Sequence, residues 1–186
     1  LRALDRGVGK ILDTLEEQGL SENTLIIFSS DNGGANYINL SDINKPFRGW
    51  KLSHFEGGMH IPFMAKWPGK IKPGTIFDYP IHQNDILPTI AAAAEASIPT
   101  DRIIDGKNIL PFIENNQPPH ETLFWRQGRL QTVLHKEWKM ISDTNQEKLW
   151  LFDLSKDPTE KNNLANQMPE KVQMLENLLM KHNDQQ

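Results

Sequence analysis

The chain has 186 residues, a formal net charge of −4, 38% hydrophobic and 24% charged residues, and no cysteine. That is enough core material for one ordinary domain with an appendage; it excludes a disordered chain and, with no dense Lys/Arg patch, argues against a nucleic-acid partner. No apolar run approaches the about 20 residues of a membrane-spanning helix, and the lack of cysteine fits a reducing compartment or a disulfide-free secreted protein equally well.

Residues 2–18 place Leu4, Val8, Ile11, Leu12 and Leu15 on one face of a helix, and Gly19 stands where that helix would stop. Leu25–Phe28 is an apolar, partly β-branched run that reads as a buried strand, closed by Asp31-Asn32-Gly33-Gly34. In an open α/β sheet, ligands sit at the carboxyl ends of the strands, which makes Asp31 and Asn32 candidate ligands. A carboxylate and an amide oxygen are hard donors, suited to Ca²⁺ or Mg²⁺ rather than to zinc or copper. The same Asn-Gly pair is also a common hairpin turn, and this segment alone leaves both readings open. Residues 31–58 form a long stretch with little apolar periodicity, of the kind that is usually either functional or disordered. Ile61–Trp67 reads as a second strand, closed by Pro68-Gly69. Asp85 is placed to cap a helix from Ile86 to Glu95, with Leu87, Ile90, Ala91 and Ala94 inward and Pro88 tolerated in the first turn. Helix and strand alternate as in an α/β layer.

The character changes at Gln117-Pro118-Pro119, which reads as a linker. Beyond it, Thr122–Arg126, Leu130–His135, Trp138–Ser142 and Lys148–Leu154 are strand-like runs with short breaks, an antiparallel meander with Trp125, Trp138 and Trp150 in its core. Pro169 opens a last helix to His182, with Val172, Leu175, Leu179 and His182 at helical spacing. The expected division is therefore 1–116 and 117–186.

Asp31-Asn32-Gly33, Arg48-Gly49-Trp50-Lys51 and Glu56-Gly57-Gly58 follow one another in this chain, and in that order it resembles the second half of a sulfatase of the alkaline phosphatase superfamily. The resemblance continues through Asn84-Asp85-Ile86-Leu87-Pro88-Thr89, Asp105-Gly106-Lys107, Leu151-Phe152-Asp153-Leu154, Asp157-Pro158 and Asn163-Leu164-Ala165. It implies an α/β fold: part of an alkaline-phosphatase-like mixed sheet with helices for 1–116, then a small antiparallel sheet plus C-terminal helix for 117–186. It implies that Asp31 and Asn32 are the later two of four side chains holding one divalent cation, usually Ca²⁺, and that Lys51 contacts the sulfate. A compact ammonium suits that role, because it can stabilise charge that develops as an S–O bond breaks. His54 and Arg48, close to Lys51, are candidate substrate contacts, with loop positioning as the other reading of Arg48. Glu56 reads as fixing its turn, and His60 and His82 as structural.

The departures are as informative. The family's nucleophile is a formylglycine made from Cys or Ser in a Cys/Ser-x-Pro/Ala-x-Arg motif, and this sequence contains no such motif. The family's first pair of acidic ligands and its histidine and lysine upstream of the Asp-Asn strand also lack counterparts. The expectation is a piece of a longer polypeptide, carrying part of an active site and inactive alone. The whole protein would hydrolyse a sulfated small molecule or carbohydrate, in the periplasm or outside the cell, with formylglycine in the missing N-terminal part. Uncovered strand edges and an apolar sheet face would make the isolated chain self-associate. Two other readings stand beside this one: a phosphoester or phosphonate hydrolase of the same superfamily, and a non-catalytic binding or assembly module. The nucleophile motif separates the first, and a Ca²⁺ response that depends on Asp31 separates the second.

Overall fold

The computed structural model describes residues 2–40 and 42–184. In chain order its elements are α1 (Arg2–Glu17), β1 (Ile26–Ser29), α2 (Glu56–Met59), β2 (Phe63–Lys66), α3 (Ile86–Ala93), α4 (Leu110–Asn115), β3 (Thr122–Gln127), β4 (Leu130–His135), β5 (Trp138–Asp143), β6 (Lys148–Asp153) and α5 (Pro169–Asn183). They fall into two compact units, one built from residues up to 28 together with 63–119, the other from 29–62 together with 120 onward.

In the first unit, α1 ends where Gly19 takes a φ of +68°, a left-handed conformation that costs glycine little. Val8, Leu12 and Leu15 are half-buried on one face, whereas Leu4 (56%) and Ile11 (62%) stay exposed. Strands β1 and β2 pair as a two-stranded sheet. Asp85 stands at the N-cap position of α3 as expected, but its side chain makes no capping bond to that helix. Its carboxylate accepts the backbone N–H of His82 at 2.7 Å and of Lys107 at 2.8 Å, while His82 Nδ1 accepts from the N–H of Asn84 at 3.1 Å. The capped element is the 3₁₀ turn Gln83–Asp85 just before the helix. The inward face of α3 differs too: Pro88 and Thr89 are buried, while Leu87 and Ile90 are exposed. The helix is apolar almost all round, so periodicity could not select a face; the hydrogen bond from the N–H of Ile109 to Thr89 Oγ1 at 3.1 Å does. Gly106 closes this arrangement, since a Cβ there would stand 1.9 Å from the carbonyl oxygen of Asn84.

The second unit contains the antiparallel meander β3-β4-β5-β6. Its register sets two faces, because residues directly opposite one another point the same way. Phe124, Val133, Met140 and Leu151 form one row. Helix α5 covers that face with Val172, Leu175 and Leu179, joined by Ala165. Each such buried aliphatic side chain stabilises the unit by about 1.5–3 kcal/mol. Pro169 starts α5 in its first turn, where the missing N–H is not needed. Leu123, Leu134, Lys139 and Phe152 form a row on the opposite face. Of the three tryptophans only Trp138 packs against the core under α5; all three are half-buried, with Lys171 over Trp138 at 4.8 Å and Phe55 edge-on to Trp150 at 5.6 Å. Large rings with a polar edge settle at the borders of so small a sheet.

The outer edge of β6 is covered by the segment that follows it. The N–H of Leu151 donates to Asn163 Oδ1 and the carbonyl of Leu151 accepts from Leu164, both at 2.9 Å. Pairing that edge removes a template for strand addition. No described helix is long and apolar enough to cross a membrane.

Candidate active site

Beyond β1 the chain turns at Ser30, whose hydroxyl donates to the carbonyl of Asn32 at 2.8 Å. Asp31 is exposed and Asn32 half-buried, and the Asn32 amide nitrogen donates to the carbonyl of Gly33 at 3.0 Å. The N–H of Gly33 then donates to the carbonyl of Gly58 at 3.1 Å. Gly33 is there because two backbones touch: a Cβ would lie 1.9 Å from the carbonyl oxygen of Gly57. The Asn-Gly pair is thus no hairpin turn.

The three motifs close into one backbone-bonded knot. The N–H of Lys51 donates to the carbonyl of Gly34 at 3.1 Å, and the N–H of Gly57 to the carbonyl of Arg48 at 2.6 Å. Asn44 stitches across them, its Oδ1 accepting from Gly34 at 2.7 Å and its Nδ2 donating to the carbonyls of Gly34 (2.9 Å) and Gly49 (3.0 Å). Lys51 sits on a tight turn in which the N–H of Ser53 donates to the carbonyl of Trp50 at 2.8 Å, and Leu52 takes a φ of +74°. A leucine in that region is strained by about 1–3 kcal/mol, a cost borne where surroundings fix the backbone. Among the described residues Lys51 has no ion-pair partner.

Beneath this loop lies a buried charged group. Lys139, 1% exposed on the inner row of the sheet, places its Nζ 2.6 Å from Glu56 Oε1 and 2.9 Å from Glu160 Oε1. Glu160, fully buried, accepts the backbone N–H of Glu56 at 2.6 Å through Oε2. Its own carbonyl accepts from Arg48 Nη1 at 3.0 Å, and the Arg48 guanidinium lies 3.9 Å over the ring of Phe55. Burial raises the carboxyl pKa of Glu160, and Lys139 offsets this only in part. For Glu56 burial pushes upward as well, but the hydrogen bond with His60 (2.9 Å) and the charge of Lys139 outweigh it and leave the group below the usual carboxylate range.

His54 is 6% exposed, with Nδ1 2.7 Å from Thr132 Oγ1 on the sheet. Burial, aided by Lys139, pulls its pKa from 6.5 down to about 4. The structure therefore places Asp31 and Asn32 on the turn whose Gly34 carbonyl accepts from the N–H of Lys51, anchors exposed Arg48 on Glu160 and Phe55, and seats His54 inside the unit. It adds three residues that the sequence did not single out: Asn44, Lys139 and Glu160. Lys139 carried no decisive signal: on its own strand it shares a face with Ile141 and Asp143, which alternation alone reads as a half-solvated face. Asp31 and Asn32 are adjacent hard-oxygen donors that fit part of a Ca²⁺ shell of 6–8 oxygens. They do not complete one, and among the described residues no group of three or more His, Asp or Glu side chains is placed to hold a metal ion.

Mixed α/β elements in one unit, and an antiparallel sheet under a helix in the other, are the elements of sulfatases of the alkaline-phosphatase-like fold, and solved structures match this chain. One, titled "Ps i-CgsB in complex with k-i-k-neocarrahexaose", superposes with a TM-score of 0.86 at 30% identity, over 96% of this chain and 40% of that one. The sulfatase family model matches residues 1–96, and that of the C-terminal region of N-sulphoglucosamine sulphohydrolase matches residues 49–185. The chain belongs to the sulfatase family. It is 32% identical over 205 aligned positions to N-acetylgalactosamine-6-O-sulfatase of Bacteroides thetaiotaomicron, covering 95% of this chain and 39% of that protein. It is 36% identical over 129 to steryl-sulfatase of Mus musculus, covering 65% of this chain and 21% of that protein. The chain thus spans between about a fifth and two fifths of the length of these relatives.

Proposed function

We propose that this chain is the C-terminal part of an enzyme that hydrolyses sulfate esters, with a sulfated carbohydrate as the substrate class. The observation that carries the reading is the knot itself, in which the backbone of Lys51 is hydrogen-bonded two residues beyond Asn32. A carbohydrate is favoured because the carbohydrate-sulfatase relative aligns along 95% of this chain, against 65% for the steryl relative. In this reading Asp31 supplies a carboxylate and Asn32 its amide oxygen, the end not spent on Gly33, to a Ca²⁺ ion, with Mg²⁺ as the alternative. When bound, such an ion neutralises charge on the ester's sulfate oxygens. Lys51 brings a mobile-headed ammonium to the same sulfate, and no partner carboxylate among the described residues competes for it. Arg48 orders the loop from its start, and His54 packs the loop against Thr132. Residues 1–116 would belong to the catalytic α/β domain and 117–186 to the C-terminal subdomain. The nucleophile, a formylglycine, and the remaining metal ligands would come from the part of the protein outside this chain, which alone would turn nothing over. A periplasmic or secreted location accompanies this reading.

The test is a turnover assay of the full-length protein on aryl sulfate, sulfated oligosaccharide, aryl phosphate and phosphonate monoester, with and without a chelator. Metal-dependent release of sulfate is the expected result. Turnover of the phosphonate or phosphate in preference would replace the reading with that of a phosphoester or phosphonate hydrolase. No turnover of any ester, with no Ca²⁺ response at Asp31, would leave a binding module.

A further inference from the structure

The Lys51 loop is closed at its neck by a residue far away in sequence. Arg48 and Glu56–Gly57 mark the two ends of the loop, and Gly57 N–H to Arg48 carbonyl draws them together at 2.6 Å. Glu160 touches both ends at once: its carbonyl receives Arg48 Nη1 at 3.0 Å and its carboxylate receives the N–H of Glu56 at 2.6 Å. Lys139 bridges from the sheet to the side chains of Glu56 and Glu160 at 2.6 and 2.9 Å. Glu160 holds a φ of +55°, a region that a glutamate enters only when its surroundings demand it. The strand-covering segment 151–165 supplies that demand, through Asn163 and Leu164 on Leu151. One ammonium shared by two carboxylates, with Lys139 and Glu160 both out of water, is an expensive arrangement whose loss exposes an unpaired buried charge. An apolar sheet face would have packed as well, so stability alone does not account for these three charges.

We propose that Lys139 and Glu160 are positioning residues: through Glu56 they clamp the neck of the loop and so hold Lys51 at the place where it meets the sulfate. The proposal rests, for its catalytic consequence, on the reading of Lys51 given above. The geometric part stands without it.

The experiment compares Lys139→Met, Lys139→Arg and Glu160→Gln in the full-length protein by amide hydrogen exchange and by steady-state kinetics. Protection of residues 49–58 is expected to fall about tenfold or more in Lys139→Met, while β4, β5 and α5 keep theirs because their core lies on the other sheet face. Lys139→Arg restores part of the protection. Should Lys139→Met fail to fold, Glu160→Gln, which keeps the size and the acceptor, carries the same test with a smaller loss. In kinetics, Lys139→Met lowers kcat/KM by about a hundredfold, the scale of a misplaced group, and adds nothing further in a Lys51→Ala background. Unchanged loop protection in a folded variant, or protection lost equally over sheet and α5, would overturn the clamp. Multiplicative losses in the Lys51/Lys139 double variant would overturn its link to Lys51. A wild-type protein that turns over no sulfate ester, yet loses loop protection as described, would defeat the sulfatase reading and leave the clamp standing.

Discussion

The backbone N–H of Lys51 donates to the carbonyl of Gly34 at 3.1 Å, which ties the lysine of one motif to the acid–amide turn of another. This single bond fixes where the Lys51 side chain starts relative to Asp31 and Asn32. The side chain itself is half-buried and, among the described residues, carries no fold-stabilising ion pair. Replacing it with alanine is therefore expected to leave the unfolding midpoint of the chain within about 0.5 kcal/mol of wild type. In the full-length protein the same substitution should lower kcat for sulfate esters by about a hundred- to a thousandfold, the scale of losing one preorganised charge donor. Lys51→Arg should not rescue it, since a planar fork does not replace a point charge. Urea titration and initial-rate kinetics check the two halves.

Metal affinity gives a second prediction. Two neighbouring oxygen donors fill only part of a shell that calls for 6–8, so the isolated chain is expected to bind Ca²⁺ with a Kd above about 10⁻⁴ M. Calorimetry on the chain should show weak heat that vanishes in Asp31→Ala. Micromolar binding would mean that ligands other than Asp31 and Asn32 complete the shell.

The glycines allow a sharp contrast within one molecule. At Gly57 a Cβ would stand 2.5 Å from the carbonyl oxygen of Gly49 and 2.6 Å from that of Arg48, whereas at Gly7 in α1 nothing lies within 4 Å. Gly57→Ala should destabilise by about 1–3 kcal/mol through overpacking. Gly7→Ala should instead stabilise by about 0.5–1 kcal/mol, from helix propensity. Equal effects in urea titrations of the two variants would contradict the close approach.

His54 predicts an acid-sensitive unit. Its folded pKa of about 4 lies below the ordinary histidine value of 6.5, so the unfolded chain binds the proton first as the pH falls. Stability is thus fully present above pH 6.5 and is lost as the pH drops toward 4, by at most about 3 kcal/mol. Glu160 acts in the opposite sense, because its raised pKa favours the folded state at low pH. The difference between wild type and His54→Gln, followed by urea midpoints from pH 7.5 to 4, isolates the histidine. A constant difference across that range would refute the assignment.

Exposed aliphatic side chains on α1 set the association behaviour. Leu4 at 56% and Ile11 at 62% exposure share the face carrying Val8, Leu12 and Leu15. The isolated chain is expected to self-associate, and Leu4→Glu with Ile11→Lys to shift it toward monomer in light scattering. A wild-type chain that stays monomeric at high concentration would count against this.

The meander and α5 were readable because alternation and helical spacing continue through them without a competing signal, as at Val172, Leu175 and Leu179. Lys51, Asp31 and Asn32 could be picked out by motif order. The face of α3 was not legible, because a helix apolar all round has no preferred side until Ile109 bonds Thr89. The reason for Gly33 was also hidden: sequence suggests a turn, whereas the cause is the carbonyl of Gly57 from a segment many residues away. The burial of Lys139 was hidden too, because Glu160 reaches it only through the segment that covers β6. Such pairings are properties of the fold and have no local spelling.

The unit that holds the Lys51 loop is assembled from residues 29–62 and from 120 onward, and Glu160 lies near its end. During synthesis the loop emerges first and waits on the order of ten seconds for the glutamate that seats it. A message cut short before the Glu160 codon would encode Asp31, Asn32 and Lys51 and still lack the one residue that touches both ends of the loop. A change at Glu160 is thereby felt more than 100 residues earlier in the chain, at the neck of the Lys51 loop.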